Sequence, residues 1–207
     1  MLKILGRPDS INVRKATWLC AELDIPFEQQ AWGSGHRSTF ETEFLALNPN
    51  GLVPVLVDGE FVLWESNTIC RYLAARENRT DWLPTDARSR ARIEQWMDWQ
   101  AGELNNSWRH AFLGLVRKFP KFLDPAAIEA SVAAWNKHMQ ILEAQLQRTG
   151  AYVTGATITT ADIGIGLAVN RWFGSPIERP VLPAVEQYYA RLKERPAYRL
   201  HGANGEP

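Results

Sequence analysis

This 207-residue chain is poor in the residues that usually announce metals, disulfides or a charged partner. Its two cysteines, Cys20 and Cys70, are far apart and fall in neither a Cys-x-x-Cys nor a metal-ligand spacing. A disulfide framework, a zinc site and a dithiol motif are therefore not expected. Lys plus Arg number 23 and Asp plus Glu 23, so the formal net charge is zero. Without a basic stripe to track a phosphate backbone, nucleic acid is not an expected partner. No apolar run nears the roughly eighteen residues that cross a bilayer, and the stretch from Met1 to Arg7 lacks the apolar segment of a secretion signal. No membrane partner is expected, and a reduced cytoplasm is the simplest setting. His110, His138 and His201 have no partners at metal-ligand spacing. Nor is a Gly-Lys phosphate loop or a Ser-His-Asp set legible.

Tryptophan, by contrast, is plentiful, with nine in all. Trp96, Trp99 and Trp108 share one expected helix, and Trp172-Phe173 lies on another. Two readings stand: a large aromatic core, or walls for an apolar ligand.

Periodicity divides the chain. Residues 2–5 are a short apolar run, and residues 12–23 carry Val13, Ala16, Leu19, Cys20 and Leu23 at helical spacing. A strand over 27–32 and a short helix over 40–47 follow. Strands at 53–57 and 60–64 flank Asp58-Gly59, a strong hairpin signal, and a third helix covers 66–77. The order βαβαββα predicts a small mixed sheet with helices against it. Residues 80–86 form a polar, proline-containing joint. Beyond it strand signals nearly vanish, with helices expected over 87 to about 116 and over 125–149, the latter opened by Asp124-Pro125. Another starts at the capping box Thr159-Thr160-Ala161-Asp162, and the last runs from Leu182-Pro183 to about Arg195-Pro196. The expectation is an α/β domain over 1–79 and an all-helical domain over 87–207.

Three places bear on chemistry. A proline at a strand entrance marks an edge or a bend. The turn Asn48-Pro49-Asn50-Gly51 before it and the hairpin after it favour a cis Val53-Pro54 bond that turns the Val53 backbone outward to pair with an extended peptide. Next, Ser66 opens a helix, where a hydroxyl and free N–H groups suit a ligand carboxylate. Glu65 beside it can accept from an ammonium, although a plain N-cap also explains Ser66. Finally, Ser10 stands where the first loop meets the first helix, placed to donate to a thiolate that the helix dipole also favours. Asn12 is a rival donor. Gly33-Ser34-Gly35-His36-Arg37-Ser38 imitates a dinucleotide fingerprint but has Ser38 in place of the third glycine and no open run of parallel strands around it, and NAD is rejected. His36 reaches a ligand from this loop or simply faces solvent.

Taken in order, Asn48-Pro49-Asn50-Gly51-Leu52-Val53-Pro54-Val55-Leu56, Glu65-Ser66-Asn67-Thr68-Ile69-Cys70-Arg71-Tyr72-Leu73 and Thr159-Thr160-Ala161-Asp162 resemble the cytosolic glutathione S-transferases of the bacterial, theta-like kind over nearly the whole chain. The resemblance implies a thioredoxin-like first domain, a helical domain that supplies the electrophile pocket, and glutathione as co-substrate with no other cofactor. It implies that Val53 pairs with the cysteinyl part of glutathione beside a cis Pro54, and that Glu65 and Ser66 hold the γ-glutamyl group. Ser10 falls where theta-like members place a catalytic serine, and Asn12 corresponds to the donor that some bacterial relatives use in disulfide or peroxide chemistry. Many relatives carry Lys where Leu52 stands, so one charge contact to the ligand is missing. Trp108, Phe112 and Trp172 are candidates for the electrophile lining, with a core role equally open to each. The expected reaction is conjugation of the thiolate to a largely apolar electrophile, in a homodimer. A glutathione-dependent disulfide reductase or peroxidase and a non-catalytic binding module are the rivals. Cys20 lies too far along its helix from Ser10 for a mixed-disulfide mechanism.

Overall fold

In the computed structural model, which describes residues 1–205 and 207, a four-stranded sheet carries the first half. Strands β1 (Leu2–Leu5), β2 (Phe27–Gln30), β3 (Val55–Asp58) and β4 (Phe61–Trp64) lie in the order β2-β1-β3-β4. β1 runs parallel to β2 and antiparallel to β3, and β3-β4 is the hairpin expected at Asp58-Gly59. Helices α1 (Ile11–Glu22), α2 (Thr42–Leu47) and α3 (Ser66–Arg76) complete this half. The strand expected from Val53 starts two residues later, because Pro54 has no N–H to give the ladder. Trp32 falls outside β2 and instead pairs with Arg37, whose guanidinium lies 3.9 Å from the centre of its ring. Phe40 precedes α2 rather than starting it and is exposed.

The remainder is helical: α4 (Ala87–Trp99), a π-helical turn (Gln100–Leu104), α5 (Asn105–Leu115), a 3₁₀ turn (Pro120–Phe122), α6 (Pro125–Thr149), α7 (Thr160–Gly174), α8 (Pro183–Lys193) and α9 (Pro196–His201). α6 keeps its expected bounds because both ends are set locally. Asp124 accepts from the Ala126 N–H, Pro125 takes the first position, and Gly150 closes the helix at φ +81°. Two features depart from expectation. The helix through 87–116 is interrupted by the π turn, and Arg195-Pro196 begins α9 instead of ending the chain's helices. Among the described residues no helix is long and apolar enough to cross a membrane.

α1 is the hinge of the architecture. Its expected apolar stripe packs under the sheet, but its back is covered as well, so Ile11 and every residue from Val13 to Cys20 are buried. Arg14 donates to the carbonyls of His201 and Gly202, and Trp18 packs on Tyr198 with ring centres 4.7 Å apart. Gly166 makes this approach possible, since a Cβ there would sit 2.8 Å from Leu192 and 3.0 Å from Trp18. One apolar core thus runs from Leu2 through α1 to Tyr198. The 80–86 joint belongs to it. Trp82 and Leu83 are buried, and the Trp82 carbonyl accepts the Thr160 N–H at 3.1 Å. Most tryptophans take the core reading, with Trp18 and Trp135 fully enclosed.

Candidate active site

A cleft opens where the tip of α1, the loop before β3 and the start of α3 meet. It is lined by Asn12, Asn48, Asn50, Leu52, Val53, Pro54, Glu65 and Ser66. The Val53-Pro54 peptide bond is cis. Gly6 lets this loop close on β1, because a side chain there, at φ +151°, would run into Val13 and Val53. Asn48, 3% exposed, ties the turn together. Its Nδ2 donates to the Leu52 carbonyl at 2.7 Å, and its Oδ1 accepts from the Asn50 backbone at 3.1 Å and side chain at 2.9 Å. Neither Asn48 nor Asn50 stood out in the sequence as more than a turn signal, although Asn is the residue that turns select for such bonds.

Across the cleft, Glu65 adopts φ +73°, ψ 106° immediately before α3. For a residue with a side chain this is a sparsely populated region that costs on the order of 1–3 kcal/mol. The cost is met by the Ile69 N–H on the Glu65 carbonyl at 2.9 Å and by the strand-to-helix corner that Glu65 occupies. Ser66 is 7% exposed, and its hydroxyl donates to Asn12 Oδ1 at 3.4 Å. This contact joins segments fifty-four residues apart. With its oxygen occupied by Ser66, the Asn12 amide keeps its N–H donors for the cleft. Ser10 is the N-cap of α1 by position, yet its hydroxyl makes no capping hydrogen bond. It is half-buried and does not line the cleft itself.

Beneath this surface lies a residue that periodicity passed over. Lys15 is 1% exposed, and its Nζ donates to Asn67 Oδ1 at 3.0 Å and Gln100 Oε1 at 2.8 Å. Burial pulls its pKa down to about 8. Asn67, next to Ser66, also donates to the Met97 carbonyl at 2.7 Å. The wide π turn that carries Gln100 is what faces its amide inward, and such turns often sit near functional sites. Lys15 therefore clamps α1, the first turn of α3 and the helical half together.

Other expected site residues are not gathered here. His36 is exposed on the far loop, and its backbone N–H donates to the Gly33 carbonyl. Trp172 was a candidate for the electrophile wall, but it is 1% exposed and its indole N–H is bonded to Asn136. It is a core residue, because α7 is enclosed on nearly every side. Trp108 and Phe112 face each other edge to face, but they carry the guanidinium of Arg171 rather than open apolar space. Cys20 and Cys70 are buried free thiols whose pKa is pushed up to about 12, chiefly by burial.

Residues 1–75 match the family model described as glutathione S-transferase, N-terminal domain. Over 96% of both chains, the sequence is 38% identical to glutathione S-transferase GstB of Escherichia coli K12. The chain belongs to the glutathione S-transferase family. The transferase is also 32% identical to glutathione S-transferase 3 of Zea mays, over 95% of its own length and 91% of the maize protein. Among solved structures it resembles a theta class glutathione S-transferase from Xanthomonas axonopodis pv. citri with glutathione bound. The TM-score is 0.91 at 37% identity, covering 97% of the transferase and 96% of that chain.

Proposed function

We propose that glutathione lies along the cleft with its cysteinyl backbone against Val53 and its γ-glutamyl end at the start of α3. The Ser66 backbone N–H and the other free N–H groups at the start of α3 take its carboxylate, since the Ser66 hydroxyl is spent on Asn12. Glu65 takes its ammonium, and Leu52 offers an apolar edge in place of a charge. The thiol then sits at the tip of α1, where Asn12 and Ser10 can donate to the sulfur and the positive helix end favours the thiolate. The thiolate attacks an electrophile that approaches from the helical side. The observation that carries this reading is the Asn12–Ser66 contact, which brings the tip of α1 against the start of α3 in one cleft beside the cis Val53-Pro54 bond. With Cys20 and Cys70 buried and held protonated, a route through the enzyme's own thiol finds no support.

The test is an ultraviolet titration of the glutathione complex, following thiolate absorbance against pH. The bound thiol is expected to ionise at least one to two units below its free value of about 8.5, worth about 1.4 kcal/mol per unit. Binding with no shift would leave a binding module and remove the transferase mechanism.

The same reading includes a homodimer in a reducing compartment. β4 is an edge strand, and it leaves Phe61 46% and Trp64 39% exposed, an apolar border suited to burial against a second copy. Sedimentation at low micromolar concentration should give twice the chain mass, and a stable monomer would discard the dimer.

A further inference from the structure

Where the electrophile is expected, the fold gathers arginines. Arg171 on α7 is 4% exposed and stacks over two aromatic rings, its guanidinium carbon 3.9 Å from the centre of Phe112 and 4.5 Å from that of Trp108. One of its terminal nitrogens donates to the Pro207 carbonyl at 3.3 Å, while its Nε is buried without a partner. Arg117, just past α5, lies over the other side of the group, 5.5 Å from the Phe112 centre, with its side chain 29% exposed. Arg7, in the loop after β1, completes it. Among the described residues, the carboxylate paired with two of these three is that of Asp9, 2.7 Å from Arg7 and 3.9 Å from Arg117. Asp9 immediately precedes Ser10, so the group borders the place assigned to the sulfur.

Several positive charges around one carboxylate leave the group short of an anion. Burial first, then repulsion from Arg14, Arg117 and Arg7, holds the Arg171 pKa down to about 9. A guanidinium enclosed with no side-chain carboxylate against it among the described residues is costly, and an incoming anion relieves that cost. The Asp9–Arg117 pair is loose beside the Asp9–Arg7 pair, so a ligand can take Arg117 while Arg7 keeps its own carboxylate.

We propose that the electrophile carries an anionic group, a carboxylate or sulfonate, received by the partly exposed Arg117 and backed by the charge of Arg171, with its reactive carbon turned to the thiolate. This rests on the transferase reading above and narrows its substrate class. A chloronitrobenzoate illustrates the step. The thiolate sulfur forms a bond to the ring carbon bearing chlorine, the carbon–chlorine bond breaks, and chloride leaves with the electron pair. The thiol proton has already passed to solvent.

The experiment compares 4-chloro-3-nitrobenzoate with its methyl ester, each kcat/KM divided by the uncatalysed rate with glutathione at the same pH. 1-Chloro-2,4-dinitrobenzene serves as a reference. The carboxylate should be favoured by about tenfold or more, with the preference shrinking as salt rises. In Arg117→Gln, a surface change, the ratio should fall to near one. An ester that reacts as well as the acid, or reference turnover with neither benzoate accepted, would overturn the anionic substrate and leave the transferase standing. A preference that survives in Arg117→Gln would overturn the assignment to this group. No turnover of any of the three would overturn the transferase reading and this proposal with it.

Discussion

Asn12→Ala is expected to lower kcat/KM for conjugation about 100-fold at neutral pH, the loss typical when one preorganised donor to a developing or resident anion is removed. The reasoning is geometric. The Asn12 oxygen is engaged by the Ser66 hydroxyl, which orients the amide so that its N–H groups face the cleft. On the proposed placement of glutathione, alanine removes a charge-assisted bond to the sulfur and releases Ser66 at the carboxylate end. The bound thiol should then ionise at higher pH, and much of the lost rate should return as the pH is raised and solvent does what the amide did. A purely structural role for Asn12 would lower the rate equally at all pH values. Ser10→Ala is expected to lose only about fivefold, the scale of one weak or solvent-shared hydrogen bond, because Ser10 does not line the cleft. Its hydroxyl is nevertheless unspent on capping. The reverse ranking of the two variants would assign the sulfur contact to Ser10.

The second large effect concerns stability. Asp162→Ala should destabilise the fold by about 3–5 kcal/mol, from loss of a cap and exposure of buried donors to nothing. Asp162 is fully buried at the start of α7. One of its oxygens accepts the Thr159 N–H at 2.8 Å, and the other accepts the Val153 N–H at 3.0 Å and the Tyr188 hydroxyl at 3.1 Å. Alanine strands the Thr159 and Val153 N–H groups in the core and leaves the Tyr188 hydroxyl only its 3.4 Å bond to the backbone carbonyl at position 162. Burial pushes the Asp162 pKa up to about 6, against these hydrogen bonds, which pull it down. The folded state therefore holds a proton that the unfolded chain, titrating near 4, has already released. The favourable contribution of that proton is full below about pH 4 and is lost as pH rises through about 6. Denaturant midpoints of wild type and Asp162→Ala should accordingly lie furthest apart at low pH and draw closer by pH 7. A gap that is small and flat with pH would show that the box does not anchor α7.

Much of this was legible because its causes are local. The Asp124-Pro125 start and Gly150 stop bound α6, Asp58-Gly59 set the hairpin, and the Asp162 box set α7, each through neighbours within a few positions. The glutathione segments were legible as two separate loops, and only the fold brought Asn12 to Ser66. What escaped depended on packing between distant elements. The π turn faces Gln100 toward Lys15, eighty-five residues away, and nothing in the neighbouring sequence marks that partner. Pro196 read as a terminator, whereas a proline at the first position of a helix is equally a start. Arg7, Arg117 and Arg171 come from three elements whose spacing carries no pattern. Trp172 looked available because aromatic residues at helical spacing do not reveal which face is enclosed.

The double-sided burial of α1 has a consequence for how charge is stabilised at its tip. A helix gripped along its length by the sheet on one side and by α7 and α9 on the other acts as a strut, so the donors at its first turn are fixed before glutathione arrives. Water must reorient to solvate a nascent thiolate, and that reorientation takes back part of the stabilisation. Groups already aimed by the surrounding core undergo no such rearrangement. The large shared core is thus also a store of electrostatic preorganisation, and mutations far from the cleft that loosen α1, at Trp18 or Tyr198 for example, act on the acidity of the bound thiol without touching it.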